Sequence, residues 1–420
     1  LNDTGEHGCQ LISHGLNIAR VSSIRPRIPG RRLLHSPGPT PVPDEVVHAM
    51  SRQPTDLADP NVMRMIGECE RGMQRLLQTE RAEVLFYSAN GHGGWEAVIA
   101  NLVGPGTKIL VPGTGHFSDG WAEQVNAFGG IALRTPWHEG QPIDAAAVEA
   151  VLGQDTKHEI LAVFAVHTDT ASSVTSDLAD IRAAIDAAGH PALYVVDVVA
   201  SLGAAPFAMD ALGVNAVMGA SQKGLMGQPG MAFVAADERA LAAARNNRTP
   251  RFYWDWERRR GEHPYMKFCG TAPLAHLAGL EAALMLIETE GLANVHARHQ
   301  RLAHAVHAAV ECWGREGALR LFARAPAARS VSVTAIEVSA GIDPEALRTV
   351  ARERFQVAVA GGLGPLYGRA FRIGHLGDTN EAQILGCLAG VEAAMTMQGV
   401  RFARGGVEAA ERSLVDALTG

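Results

Sequence analysis

Lysine is scarce in this chain. Of 37 lysine and arginine residues among 420, only Lys108, Lys157, Lys223 and Lys267 are lysines, so each is worth weighing for amine chemistry. The basic residues are spread along the chain and the net charge is −7, which excludes nucleic acid as the main partner. No apolar run approaches the ~18 residues a membrane span needs, so no membrane role is expected. Cysteine is also sparse: Cys9, Cys69, Cys269, Cys312 and Cys387 are far apart, odd in number and without a CxxC pair. That pattern fits a reduced, cytoplasmic setting rather than a disulfide framework. What is plentiful is apolar side chain, 47% hydrophobic against 19% charged, which supports a large core and excludes disorder. Length alone suggests about two to three domains.

Residues 1–35 lack periodicity and carry the arginines of IRPRIPGRR between proline and glycine, as a flexible arm does. Asp3, Glu6 and the missing amphipathic pattern argue against a transit peptide. From 36 to 290, short apolar runs alternate with helical stretches. AEVLFYS, TKILVPG, EILAVFAVH, ALYVVDVVAS, NAVMGAS and GMAFVAA read as strands, several continuously apolar as in strands buried on both faces. WEAVIANLV and LADIRAAIDAAG read as helices between them, so the alternation predicts an α/β domain with a mostly parallel sheet. TAPLAHLAGLEAALMLIETEGLANV predicts one long helix. Over 291–420, SVSVTAIEVS, FQVAVAGG and FRIGHLG alternate with EALRTVARERF and EAQILGCLAGVEAAMTM, which predicts a small C-terminal α+β domain.

Three of the lysines look ordinary. Lys223, in NAVMGASQKGLMGQPG, follows an apolar strand and is flanked by small residues and by Gly224, Gly227 and Gly230. An amine there is desolvated, which lowers its pKa and makes it a nucleophile toward carbonyls. Asp197 ends the run ALYVVD, and a carboxylate at the end of a buried strand needs a cation or donors. Ligands of open α/β sheets sit at the carboxyl ends of strands, so the two residues can face one crevice. A lysine for a Schiff base and an aspartate for a pyridine nitrogen are the pair a pyridoxal phosphate enzyme requires. Taken alone, Asp197 is equally well read as a helix cap or turn residue. FYSANGHGGWEAVIANL adds a strand, a turn through Asn90, Gly91 and His92, and a helix whose N-terminus suits a phosphate. Glu96 stands where a dinucleotide fingerprint needs its third glycine. His296, His299, His304 and His307 share one arc of a helix; without an acidic ligand or an HExxH pattern they read as a solvated face, and no metal site is expected.

The set resembles the class V, fold-type I pyridoxal phosphate aminotransferases, specifically the alanine–glyoxylate, serine–glyoxylate and pyridoxamine–pyruvate group. The resemblance runs from SPGPTPVP to the C-terminus and is most specific in VVDVVASLGAAPFAMDALGVNAVMGASQKGLMGQPG, where Ala204 replaces a usual glycine and Gln228 a usual proline. It implies a large domain with a mostly parallel seven-stranded sheet, a small C-terminal α+β domain, and pyridoxal 5′-phosphate held by Lys223 and Asp197. It also implies phosphate contacts from Asn90, Gly91, His92 and Gln222, an aromatic stack from Phe117 where tryptophan is common, a hydroxyl contact from Thr170, and packing by Val199. Arg372, in AFRIGHLG, matches the arginine that grips the substrate carboxylate. On their own, Phe117 and Val199 would read as core, Thr170 as a turn hydroxyl and Arg372 as a surface ion pair.

The function so implied is amino transfer from alanine or serine to glyoxylate or pyruvate, in a homodimer that shares its active sites. Thr271, in KFCGTAPLAHL, matches a partner-derived phosphate contact, while Phe268 stands where a tyrosine is usual. The alternatives are another class V transaminase such as pyridoxamine–pyruvate, a lyase or desulfurase, for which no cysteine lies in a catalytic-looking loop, or a cofactor-free binding protein in which Lys223 is idle.

Overall fold

The computed structural model describes residues 29–419, so most of the expected N-terminal arm lies outside the described residues. In chain order the described strands are β1 (Leu33–His35), β2 (Glu83–Tyr87), β3 (Lys108–Val111), β4 (Ile131–Arg134), β5 (Ile160–Val166), β6 (Thr168–Asp169), β7 (Val174–Thr175), β8 (Leu193–Asp197), β9 (Ala216–Ala220), β10 (Ala232–Ala236), β11 (Leu319–Leu321), β12 (Val333–Val338), β13 (Val357–Gly361) and β14 (Ala370–Gly374).

Seven of them form the larger sheet, in the order β2-β10-β9-β8-β5-β3-β4. β10 runs antiparallel to both its neighbours and the other pairings are parallel. The continuous apolar character of β5 and β8 follows from a core on each face. Val163, Ala165, Tyr194 and Val196 point into one cluster, with the helices Pro60–Leu77 and Leu178–Ala187. Ala162, Phe164, Val166, Leu193 and Val195 point into the other, with the helices Gly91–Leu102 and His116–Ala127. Period-two alternation therefore selects which core a side chain enters, not whether it is buried. The six expected strands are all present. β4 is an addition, an edge strand of four residues whose Ile131 is 43% exposed and which is too short to announce itself.

The second sheet has the order β1-β13-β14-β12-β11, packed by the helices Leu292–Trp313, Pro344–Arg354 and Glu381–Met397. Two expectations need correcting. The long helix expected over 271–295 is two helices, Leu274–Glu290 and Leu292–Trp313, because Gly291 takes φ +83°, a left-handed conformation that ends the first. Residues 33–35, read as part of the arm, instead form β1 and pair in parallel with β13.

The histidine arc is not a solvated face. His304 is exposed, but His299 is 1% and His307 8% exposed. His299 donates from Nδ1 to the Val295 carbonyl (2.7 Å) and accepts the Gly377 N–H at Nε2 (3.1 Å), which fixes a neutral tautomer.

Candidate active site

Asp197 and Lys223 lie at the carboxyl ends of adjacent parallel strands. β8 delivers Asp197, paired in register with Met218 of β9, and the chain leaves β9 at Ala220 to reach Lys223 three residues later. Both line a cavity of about 190 Å³ with Asn90, Gly91, His92, Phe117, Thr170, Val199 and Gln222, so nine of the residues named from the sequence converge in one place.

The floor of the cavity is a buried carboxylate. Asp197 accepts the Val199 N–H and the Trp95 indole N–H, each at 2.7 Å, but burial outweighs those bonds and lifts its pKa to about 6. Burial acts in the opposite sense on Lys223, bringing the amine down to about 8; the nearby Arg372 charge adds to this and Asp197 opposes it. The other three lysines differ. Lys108 pairs with Glu159 at 2.5 Å, Lys267 with Glu70 at 2.6 Å, and Lys157 is exposed.

The helix Gly91–Leu102 opens onto the cavity. Asn90 caps it, its side chain accepting the Gly93 N–H at 3.2 Å, so the asparagine shapes the turn with its own side chain engaged. The exposed ring of His92 packs on Trp95 at 4.7 Å. Gln222 keeps a buried side-chain oxygen with no hydrogen-bond partner, and rotating that amide would turn its NH2 donors to the same spot. Phe117 and Val199 supply apolar lining. A helix N-terminus, an idle amide, apolar walls, a buried acid and a depressed amine are the groups that a phosphorylated pyridine aldehyde would need.

Arg372 is not a surface ion pair. It is 5% exposed on β14, donating from Nε to the Gly361 carbonyl (2.7 Å) and from Nη1 to the Thr170 carbonyl (2.9 Å). Burial brings it down to about 10, and among the described residues no carboxylate lies within ion-pair distance of it. It sits beside the cavity, joined to it through Thr170. Thr271 is not brought to this cavity. It is exposed and lines a separate hollow of about 460 Å³ with Arg52, Thr55 and Leu274. Phe268 is 2% exposed inside its own core, whereas Tyr265, on the same short segment, is 57% exposed. Ala204 and Gln228, the two departures from the family pattern, do not line the Lys223 cavity.

Sequence reasoning missed several residues. Trp95 reads as an ordinary helix residue, and its indole bond to Asp197 depends on a contact 102 positions away. Asp169 is fully buried and accepts the N–H groups of Phe117 and Ala171 (2.9 Å each), which orders the turn carrying Phe117; its signal was an acid between two threonines in HTDTA. Thr168 and Ala200 complete the lining. None of the four described cysteines, Cys69, Cys269, Cys312 and Cys387, is among it.

The sequence matches the family model Aminotransferase class-V over residues 32–366. It is 39% identical to L-aspartate–glyoxylate aminotransferase of Paracoccus denitrificans, over 89% of this chain and 94% of that one. To serine–glyoxylate aminotransferase of Methylorubrum extorquens the identity is 37%, over 92% and 97%. The crystal structure of pyridoxamine–pyruvate aminotransferase from Mesorhizobium loti superposes with a TM-score of 0.84 at 26% identity, covering 94% of this chain and all of that one. With sequence, sheet order and cavity in agreement, the chain belongs to the class V aminotransferases, a family that generally uses pyridoxal phosphate, and it has their fold-type I α/β architecture.

Proposed function

We propose that the chain binds pyridoxal 5′-phosphate and moves an amino group from a small amino acid, alanine or serine, to glyoxylate or pyruvate. The observation that carries this reading is the pairing of Lys223 and Asp197 at the ends of β8 and β9, one amine depressed and one carboxyl raised within a single cavity. Glyoxylate as acceptor is supported by its place in the names of both sequence relatives.

When bound, the cofactor supplies an aldehyde that captures amino groups and a ring that accepts the electron pair left at the α-carbon. The protein does the rest. Asp197 would face the ring nitrogen and keep it protonated; a cation there would in turn restore the carboxylate that burial disfavours. Lys223, once its amine is free, would take the α-proton and hold it as an ammonium. The N-terminus of the helix Gly91–Leu102 and Gln222 would hold the phosphate, while Phe117 and Val199 would cover the ring and keep water from it. Arg372, held by two carbonyls, has Nη2 left for a substrate carboxylate.

Among the described residues, Arg372 is the one arginine bonded to a residue that lines the cavity, which suits monocarboxylate donors. A second reading, aspartate as donor, rests on the 39% identical relative. Turnover of alanine, serine and aspartate against glyoxylate and pyruvate separates the two, and absence of exchange with every pair would reject both. A homodimer in which Thr271 completes the partner's phosphate site, and a cytoplasmic setting, belong to the same proposal. No helix among the described residues is long and apolar enough to cross a membrane.

A further inference from the structure

The Lys223 side chain is gripped by a segment that the sequence offered only as the start of the family resemblance, SPGPT. β1 ends at His35, and residues 36–40 then run past the lysine. The run is fixed at three points. β1 is paired with β13 from Leu33 to His35, His35 Nδ1 donates to the Gly374 carbonyl at 3.0 Å, and the Thr40 hydroxyl donates to the main-chain carbonyl of Lys223 at 3.2 Å. Between these anchors the Pro37 carbonyl accepts a hydrogen bond from Lys223 Nζ. Gly38 lies so close that a Cβ there would fall 2.4–2.5 Å from Lys223 Cδ, Cε and Nζ, and its φ of +125° is itself unfavourable for any other residue. Gly374, the residue that takes the His35 bond, is two places from Arg372 on β14. One strand thus fixes both the lysine's strap and the cationic end of the site.

We propose that residues 36–40 are a positioning strap for Lys223: the Pro37 carbonyl holds the amine whenever it is not attached to the cofactor, and the bare backbone of Gly38 leaves the path along which Nζ moves between that carbonyl and the reacting α-carbon. This deepens the reaction proposed above and rests on it. An amine with one N–H tied to a carbonyl has a directed lone pair. It accepts the α-proton on that lone pair, and the ammonium so formed stays stabilised by the same carbonyl until the proton is handed on.

The test uses Gly38→Ala, whose methyl group occupies the lysine's place, and Thr40→Val, which removes only the bond to the Lys223 carbonyl. In the holoenzyme, Gly38→Ala should still be labelled on Lys223 by borohydride, yet lose roughly 100-fold in the half-reaction rate, the cost of a displacement of about 1 Å. The donor KM should change little, and the isotope effect with α-deuterated donor should rise as proton transfer becomes limiting. Thr40→Val should move the isotope effect in the same direction by less, and it carries the test if Gly38→Ala does not fold. In protein freed of cofactor, acetylation of Lys223 relative to the exposed Lys157 should increase severalfold in Gly38→Ala, as the side chain is pushed off Pro37 into the open cavity. This ratio needs no turnover, so it reads the strap even if the proposed reaction is wrong. Wild-type isotope effects and acetylation ratios in both variants would overturn the strap while leaving the proposed function intact.

Discussion

At the scale of single residues, what sets Lys223 and Asp197 apart is the direction in which burial moves each of them. Desolvation acts on both at the bottom of one cavity, and their mutual attraction is too weak to cancel it. Lys223→Ala is expected to abolish turnover, and borohydride should fix the cofactor to the Lys223 peptide; label on Lys108, Lys157 or Lys267 instead would remove the assignment. Asp197→Asn keeps the Trp95 and Val199 donors partly satisfied but gives up the charge opposite the ring nitrogen. Covalent capture of the cofactor should survive in this variant while the half-reaction slows by orders of magnitude, and rates near wild type in stopped flow would contradict the electron-sink role. Arg372 is already buried and bonded on one side, so its contribution to a carboxylate is not diluted by water. A charge-assisted bond of about 1.5–3 kcal/mol implies that Arg372→Ala raises the substrate constants at least about tenfold. Arg372→Lys should recover only part of this, since an ammonium cannot bond Gly361, Thr170 and a ligand with the same fork. Steady-state constants across several amino and oxo acids check both statements.

At the scale of elements, the segment from Tyr253 to Thr271 is organised by Arg259, a fully buried guanidinium that meets carbonyls instead of a carboxylate. It donates to Tyr253, Phe86 and Lys267 and stacks on the rings of Tyr87 and Tyr253 at 4.0 and 4.6 Å. Arg259→Leu strands three carbonyls and should cost about 2–5 kcal/mol in chemical denaturation. By loosening the same segment it should also mimic Thr271→Ala, for which cofactor retention through dialysis should weaken by about 0.5–3 kcal/mol if Thr271 reaches a partner's phosphate. A fully active monomer in light scattering would refute that shared site. Arg259 also shows where legibility in the sequence ended. Local signals sufficed for the apolar strands, for the capped turn at Asn90 and for Lys223, because each depends on its neighbours in sequence. β4, four residues long, was too short to register, and one apolar period running through Gly291 concealed a break that a single backbone angle makes. Trp95, Asp169 and Pro37 escaped because their partners, Asp197, Phe117 and Lys223, are brought to them only by the assembled sheets.

For the whole molecule, the second sheet holds a group of histidines that constrains behaviour in acid. Burial lowers His299 and His375 to about 3 and His307 well below the ordinary value. His375 is fixed like His299, donating from Nδ1 to the Val331 carbonyl and taking the Thr334 hydroxyl at Nε2, each at 2.9 Å. With folded pKa values below the unfolded 6.5, these rings bind protons only on unfolding, so the stability they contribute is full above pH 6.5 and is lost as pH falls toward 3. Each contributes about 1.4 kcal/mol per pH unit across that window. Asp197, raised to about 6, and Asp169 and Asp378, which burial also raises, work in the opposite sense. The melting temperature should therefore drop steeply from pH 6.5 to 5, and His375→Gln should flatten the slope; an unchanged slope would mean that the histidines do not govern it. The pairing of Leu33 with Val357 has its own consequence for how the enzyme is made. A ribosome delivers β1 long before its partner strand. Lys223 and Asp197 can emerge and fold into the larger sheet while the strap still lacks its anchors on β13 and Gly374. Maturation of the lysine's grip must then wait until β13 has emerged, and a nick or truncation that removes β13 would release the amine without altering any residue that lines the cavity.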